Sequence, residues 1–138
     1  MKLQDFDFRV WYDISECYVE NPYIASFHSA DKIIGGQVYH DFGKCPDFVD
    51  FDTDSLKIEL FSGYCDKNCK KIYEGDIVKT KSPYDCFLAK VSIHKEGTFY
   101  LESKSRDYIG SLIYLVEDEG YTIEVIGNIH ENPELLKC

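Results

Sequence analysis

Apolar and polar residues alternate with a period of two along most of the chain, a pattern that favours half-buried strands over helices. Phe6, Phe8 and Val10 alternate with Asp7, Arg9 and Trp11 and predict a first strand. Leu56, Ile58 and Leu60 share one face of a second clear strand, with Lys57 and Glu59 on the other. The segment 72–79, IYEGDIVK, reads as a strand broken at Gly75. Phe87, Ala89, Val91 and Ile93 alternate next, and Lys95-Glu96-Gly97 turns that strand into a partner over 97–101. Tyr121, Ile123 and Val125 predict a last strand.

Interruptions of the pattern mark turns. Asn21-Pro22 is a turn dipeptide, and Gly35-Gly36 suggests a hairpin turn or a bulge. Residues 41–55 read as an acidic loop, with acids at 41, 47, 50, 52 and 54 pinned by Phe42, Phe48 and Phe51. Ile109, Leu112, Ile113 and Val116 recur at helical spacing behind Ser105, a candidate N-cap. They predict a helix over 107–118, which Gly110 weakens. Asn132-Pro133 is a helix start, so the C-terminus should form one short turn. The expected fold is mainly β (β-rich α+β): a small curled antiparallel sheet or barrel with one or two short helices. A single domain over 1–138 is expected, with 121–138 as a docked strand and turn.

The stretch Asp66-Lys67-Asn68, followed by 71–78 (KIYEGDIV), resembles the central signature of the YopX family. Residues 124–136, EVIGNIHENPELL, resemble its second signature, and Phe8-Arg9-Val10-Trp11 its aromatic first strand. The resemblance implies a small β-rich protein encoded in phage or prophage genomes, without an assigned reaction or catalytic residue. Two departures stand out. The family's usual glycine after Asp-Lys-Asn is Cys69 here, and its Gly-Leu is Gly63-Tyr64. Residues 12–55 match little.

The matched residues have a physical reading as fold determinants. Tyr73-Glu74-Gly75-Asp76 interrupts a strand at a residue that tolerates positive φ, as a bulge or sharp bend requires. Gly127 suits close approach of another backbone. Asn128, Asn132 and Pro133 belong to the turn that follows.

The motifs of catalysis and metal binding are weak. Cys65 and Cys69 form one thiol pair without a second pair nearby, whereas structural zinc takes four ligands. Asp50, Asp52 and Asp54 have the early spacing of a calcium loop, but Ser55 and Phe61 stand where its Gly and Glu belong. Glu74 and Asp76 would share a strand face, and Lys70, Lys71 and Lys79 make them ordinary surface charges. No phosphate loop or nucleophile elbow is present. The expectation is a protein that is not an enzyme and carries no cofactor or metal.

Charge and cysteine usage set the remaining expectations. No apolar run is long enough to span a membrane, and MKLQDFDFRV lacks a signal-peptide pattern. These features point to the cytoplasm of a host cell. The six cysteines then read as free thiols, with Cys86 a small buried hydrophobe. The net charge is −10, and residues 1–56 carry 11 acids against 4 bases. That balance makes nucleic acid an unfavoured partner. The leading expectation is a phage accessory protein that binds another protein, with a homo-oligomer as one form. Asp47, Asp50, Phe51, Asp52 and Asp54 are the candidate contact residues. The alternatives are nucleic-acid binding through Lys67, Lys70, Lys71, Lys79 and Lys81, or acidic mimicry of DNA.

Overall fold

A computed structural model of the chain describes residues 2, 6–14, 16–26, 32–40, 43–50 and 56–136. For 25–26, 32–33, 38–40 and 43–50 it describes the backbone alone. The chain divides into two compact units, Asp7–Glu59 and Leu60–Cys138 with Met1–Phe6. The architecture is mainly β with curled antiparallel sheet, as the alternation predicts.

In the unit Asp7–Glu59, β1 (Phe8–Tyr12) pairs with the short β2 (Cys17–Tyr18), Trp11 opposite Tyr18. Three further strands, β3 (Glu20–Ser26), β4 (Lys32–His40) and β5 (Gly43–Asp50), form an antiparallel sheet in that order. Val10, Val19 and Ile34 make its core, flanked by Phe8, Tyr12, Leu56 and Ile58. Glu59, on the strand face away from Leu56, Ile58 and Leu60, is buried. Arg9 Nε lies 2.8 Å from its Oε1, and the Tyr18 hydroxyl donates to the same oxygen at 3.0 Å. The partnered charge lets the strand carry a carboxylate on a covered face.

Three turn assignments change. β3 runs through Asn21-Pro22, where a register shift between Glu20 and Tyr23 absorbs the turn dipeptide as a bulge. β4 runs through Gly35-Gly36, and the Tyr23 ring packs where a Gly35 side chain would stand. Residues 43–50 of the expected acidic loop are strand β5, in unbroken register with β4. Asp47 and Asp50 therefore sit on a strand, opposite Gly36 and Ile33. Phe51, Asp52 and Asp54 lie outside the described residues.

β6 (Leu56–Cys65) leads into the second unit, where its later residues pair with β7 (Lys71–Tyr73). A five-stranded antiparallel sheet follows, in the order β11-β10-β9-β8-β12. Its strands are β8 (Asp76–Lys81), β9 (Cys86–Ile93), β10 (Phe99–Glu102), β11 (Tyr108–Ser111) and β12 (Thr122–Asn128). Ile72, Val78, Ala89, Val91, Leu101, Leu112, Leu115 and Ile123 form one buried cluster on its inner face. The expected helix over 107–118 keeps only its second half. Tyr108–Ser111 extends as β11 because its backbone completes the ladder with β10, and a π-helical turn spans Tyr114–Asp118. A 3-10 turn, Pro133–Leu136, packs against β9.

Candidate functional site: the outer face of the five-stranded sheet

With Val78, Ala89, Val91, Leu101 and Ile123 turned inward, their neighbours in the alternation populate the outer face. Lys79 and Lys81 on β8 stand opposite Glu124 and Thr122 on β12, and opposite Leu88 and Cys86 on β9. Lys90 pairs with Glu102 at 3.0 Å, and Ser92 Oγ donates to Glu102 at 3.3 Å. Beyond them His94 stacks on Tyr100 with ring centroids 4.0 Å apart, and Tyr108 lies 5.4 Å from Tyr100. Tyr108 is 59% exposed. One sheet face thus carries cations toward one edge and stacked rings toward the other.

Of the five lysines singled out in the sequence, the structure gathers three. Lys67, Lys79 and Lys81 line a small cleft with Thr122 and Glu124. Lys67 is 2.9 Å from Glu124, a hydrogen bond and charge that push its ammonium pKa up. Lys71 instead places its ammonium 5.1 Å from the Phe61 ring centroid, and the Lys70 amide is engaged by Asp66. Lys79 also lines a neighbouring cleft with Cys86, Phe87, Leu88 and Lys104, and Lys104 lines a third with Lys90 and Arg106. Among the described residues, Lys79, Lys81, Lys104 and Arg106 make no ion pair. The sequence reading missed Lys104, Arg106, His94, Tyr100 and Tyr108. The signal for His94 and Tyr100 is the parity of the alternation, which puts 79, 81, 88, 90, 94 and 100 on one side once the inner face is known.

The motif residues form a structural lock where β8 begins and β12 ends. Tyr73 N–H donates to Asp76 Oδ2 at 2.8 Å, and Gly75, at φ 88°, makes the turn between β7 and β8. Asp76 is 1% exposed, not a surface charge, because the tight turn brings its carboxylate under the strand end. Gly75 N–H donates to Val91 O, and Ile129 N–H donates to Gly75 O at 2.9 Å. Asn128 lies opposite Asp76, and its Oδ1 accepts from His130 and Glu131 N–H. Gly127 accommodates a side chain, not the expected backbone: an added Cβ would lie 2.5 Å from Asn132 Oδ1. Asn132 O accepts from Leu135 N–H, starting the turn at Pro133 as anticipated.

Asp66 completes the lock. It is 7% exposed and accepts from the amides of Asn68 at 2.8 Å, Lys70 at 2.9 Å and Val125 at 2.9 Å. Burial pushes its carboxyl up, but the Val125, Lys70 and Asn68 amides and the Lys70 charge outweigh it and hold the pKa below the ordinary value. Cys65 and Cys69 flank this turn as exposed free thiols. Cys86, expected to be buried, is exposed, because it falls on the outward parity of β9.

The segments that resemble one family's signatures are therefore contacting parts of one lock, and the family's sequence model, described as YopX protein, matches residues 7–137. The chain belongs to the YopX family. Among solved structures, protein YopX from Bacillus subtilis is 25% identical, with a TM-score of 0.61 over 94% of this chain and 97% of that one. Protein EF1440 from Enterococcus faecalis is 24% identical, with a TM-score of 0.60 over 96% and 98%. No curated protein matches the chain. Among the described residues, no helix is long and apolar enough to cross a membrane.

Proposed function

We propose that this YopX protein is a non-catalytic binding protein whose outer sheet face receives single-stranded nucleic acid. The observation that carries the reading is that one sheet face holds both Lys79 and Lys81, without an ion pair among the described residues, and, four or more positions further along the strands, the His94-Tyr100-Tyr108 rings. Cations track a phosphate backbone, and exposed rings stack on unpaired bases, which a duplex keeps covered. Neighbouring strands lie about 4.8 Å apart, so β12 to β11 spans roughly 19 Å, room for a few nucleotides. The chain's −10 charge weakens long-range attraction, but contacts within about 10 Å are governed by the local cations. Fluorescence anisotropy with labelled single-stranded and duplex oligonucleotides tests the reading. With four unpaired cations engaged, log affinity should fall against log salt with a slope of about −3. Tyr108→Ala should weaken single-strand binding about tenfold, the cost of one stacked base. Equal affinity for duplex, or no binding at low salt, refutes it.

A second reading rests on β5, which among the described residues pairs with β4 alone in the order β3-β4-β5 and carries Asp47 and Asp50. An acidic edge strand suits a basic protein partner, a second copy included, through added strand pairing. This is the form that a phage accessory protein acting in a host cytoplasm would take, including one that mimics DNA. Changing Asp47 and Asp50 to Asn should abolish salt-sensitive capture of protein partners from nuclease-treated lysate. Capture that survives unchanged rules this reading out.

A further inference from the structure

The loop joining β10 to β11 is built around one hydroxyl. Ser103 Oγ accepts from the amides of Ser105 at 3.2 Å and Asp107 at 3.1 Å, while Ser103 N–H donates to Asp107 O and Arg106 N–H to Ser103 O, both at 2.9 Å. The closure forces residue 106 to φ 66°, in the left-handed region where glycine or asparagine is the unstrained choice. An arginine stands there. Holding an arginine in that region carries a backbone cost that glycine would not.

Arg106 and Lys104 line a cleft of about 350 Å3 together with Lys90, Glu102, Ser103, Ile129, Pro133 and Leu136. Lys90 neutralises Glu102 at 3.0 Å, so the net charge of the polar lining is positive. The apolar lining comes from the end of the second signature motif, with Pro133 and Leu136 on the 3-10 turn. The volume lies at the lower end of the range for small-molecule sites, roughly 300–1,000 Å3. A cleft lined by both cationic and apolar side chains suits a compact ligand with an anionic head and an apolar body. Inorganic phosphate would leave the apolar lining wet, and an uncharged apolar molecule would leave the guanidinium unpaired.

We infer that this cleft is a mononucleotide site, in which Lys104 and Arg106 hold the phosphate and Ile129, Pro133 and Leu136 cover the base. It deepens the single-strand reading, because Lys104 also borders the neighbouring cleft that contains Lys79. A strand crossing the sheet would end with its phosphorylated terminus here. Arginine suits the task, since its planar fork matches two phosphate oxygens at once.

Isothermal titration with uridine and adenosine 5′-monophosphates, the two nucleosides, and inorganic phosphate tests the site on the full chain. At least one monophosphate should bind about tenfold more tightly than its nucleoside or phosphate alone, the scale of one charge-assisted hydrogen bond. Arg106→Gly should abolish that preference while raising the melting temperature, because glycine relieves the left-handed strain. Leu136→Ala should weaken the monophosphate and leave inorganic phosphate unchanged. Monophosphate binding that survives Arg106→Gly overturns the inference, as does phosphate binding as tightly as the monophosphate. The two readings fail separately. If oligonucleotides bind with no preference for a 5′-phosphate and free monophosphate does not bind, the cleft is wrong and the sheet face stands. If monophosphate binds and oligonucleotides do not, the cleft stands and the sheet face is wrong.

Discussion

Asp66 and Asn128 are both buried polar residues that hold β12, yet one does so with a charge and the other without. Asp66 grips the strand from the side, taking the Val125 amide while Lys67 N–H donates to Ile123 O. Asn128 closes the strand's end, its amide oxygen taking two N–H groups of the turn beyond. The Asp66 carboxylate satisfies three amides and so offsets its own desolvation, which a neutral oxygen bonding the same three groups would do less strongly. Asn128 needs only two acceptor bonds and avoids the cost of burying a charge. The difference shows that the same architectural task, satisfying loose backbone donors beside a strand, is linked to pH when a carboxylate performs it and not when an amide oxygen does.

The largest expected effect separates the two grips. Asp66→Ala should cost about 2–4 kcal/mol at neutral pH, since three amides lose a charged acceptor. The folded pKa of Asp66 lies below its ordinary value of 3.8. Its stabilisation is therefore complete above that value and drains away as pH falls through the folded pKa. Urea titrations at pH 7 and near pH 3 should show a smaller loss for the variant at the lower pH. An equal loss at both would remove the charge from the account.

Gly127→Ala comes next, at roughly 1–3 kcal/mol, because the new Cβ collides with Asn132. Paired with Asn132→Ala, it should show coupling of about 0.5 kcal/mol or more in a double-mutant cycle. Strict additivity would mean the two residues do not meet. Asn128→Ala should cost about 1–2 kcal/mol, and here the loss should be the same at pH 7 and pH 3. A pH-dependent loss at this end would erase the contrast with Asp66. The smallest effect has the opposite sign. Cys69 sits at φ 64° in the Asp66 turn, so Cys69→Gly should stabilise by about 0.5–1 kcal/mol in thermal melts.

Cys69 also illustrates how much the sequence discloses. Its left-handed backbone accounts for glycine as the usual residue there in the family that the motif resembles, so the departure was visible before its cause. Strands such as Leu56–Cys65 and Cys86–Ile93 were legible because alternation survives when one face packs on a core. Tyr108–Ser111 was misread as helix because Ile109, Leu112, Ile113 and Val116 fit both a helical face and a strand running into a helical turn. Nothing local distinguishes these, and the ladder with β10 decides it. Asp76 reads as a surface charge because its partner, the Tyr73 amide, is set by folding. The outer face was half legible: Lys67, Lys79 and Lys81 cluster in sequence as in space. Lys104, Arg106 and the aromatic rings join them only through strand order.

That strand order also has a kinetic meaning. β8, β9, β10 and β11 are successive hairpins, each closed by a short connection, whereas β12 returns from the far end of the sequence to lie beside β8. Local hairpins close early, and the long loop must wait for them to provide a template. The lock joining Asp66, Gly75 and Asn128 to β12 then forms on the native side of the folding barrier. Disrupting it should accelerate unfolding while refolding from denaturant keeps its rate. The residues that carry the family's signatures would thus govern how long the sheet stays closed more than how quickly it is made.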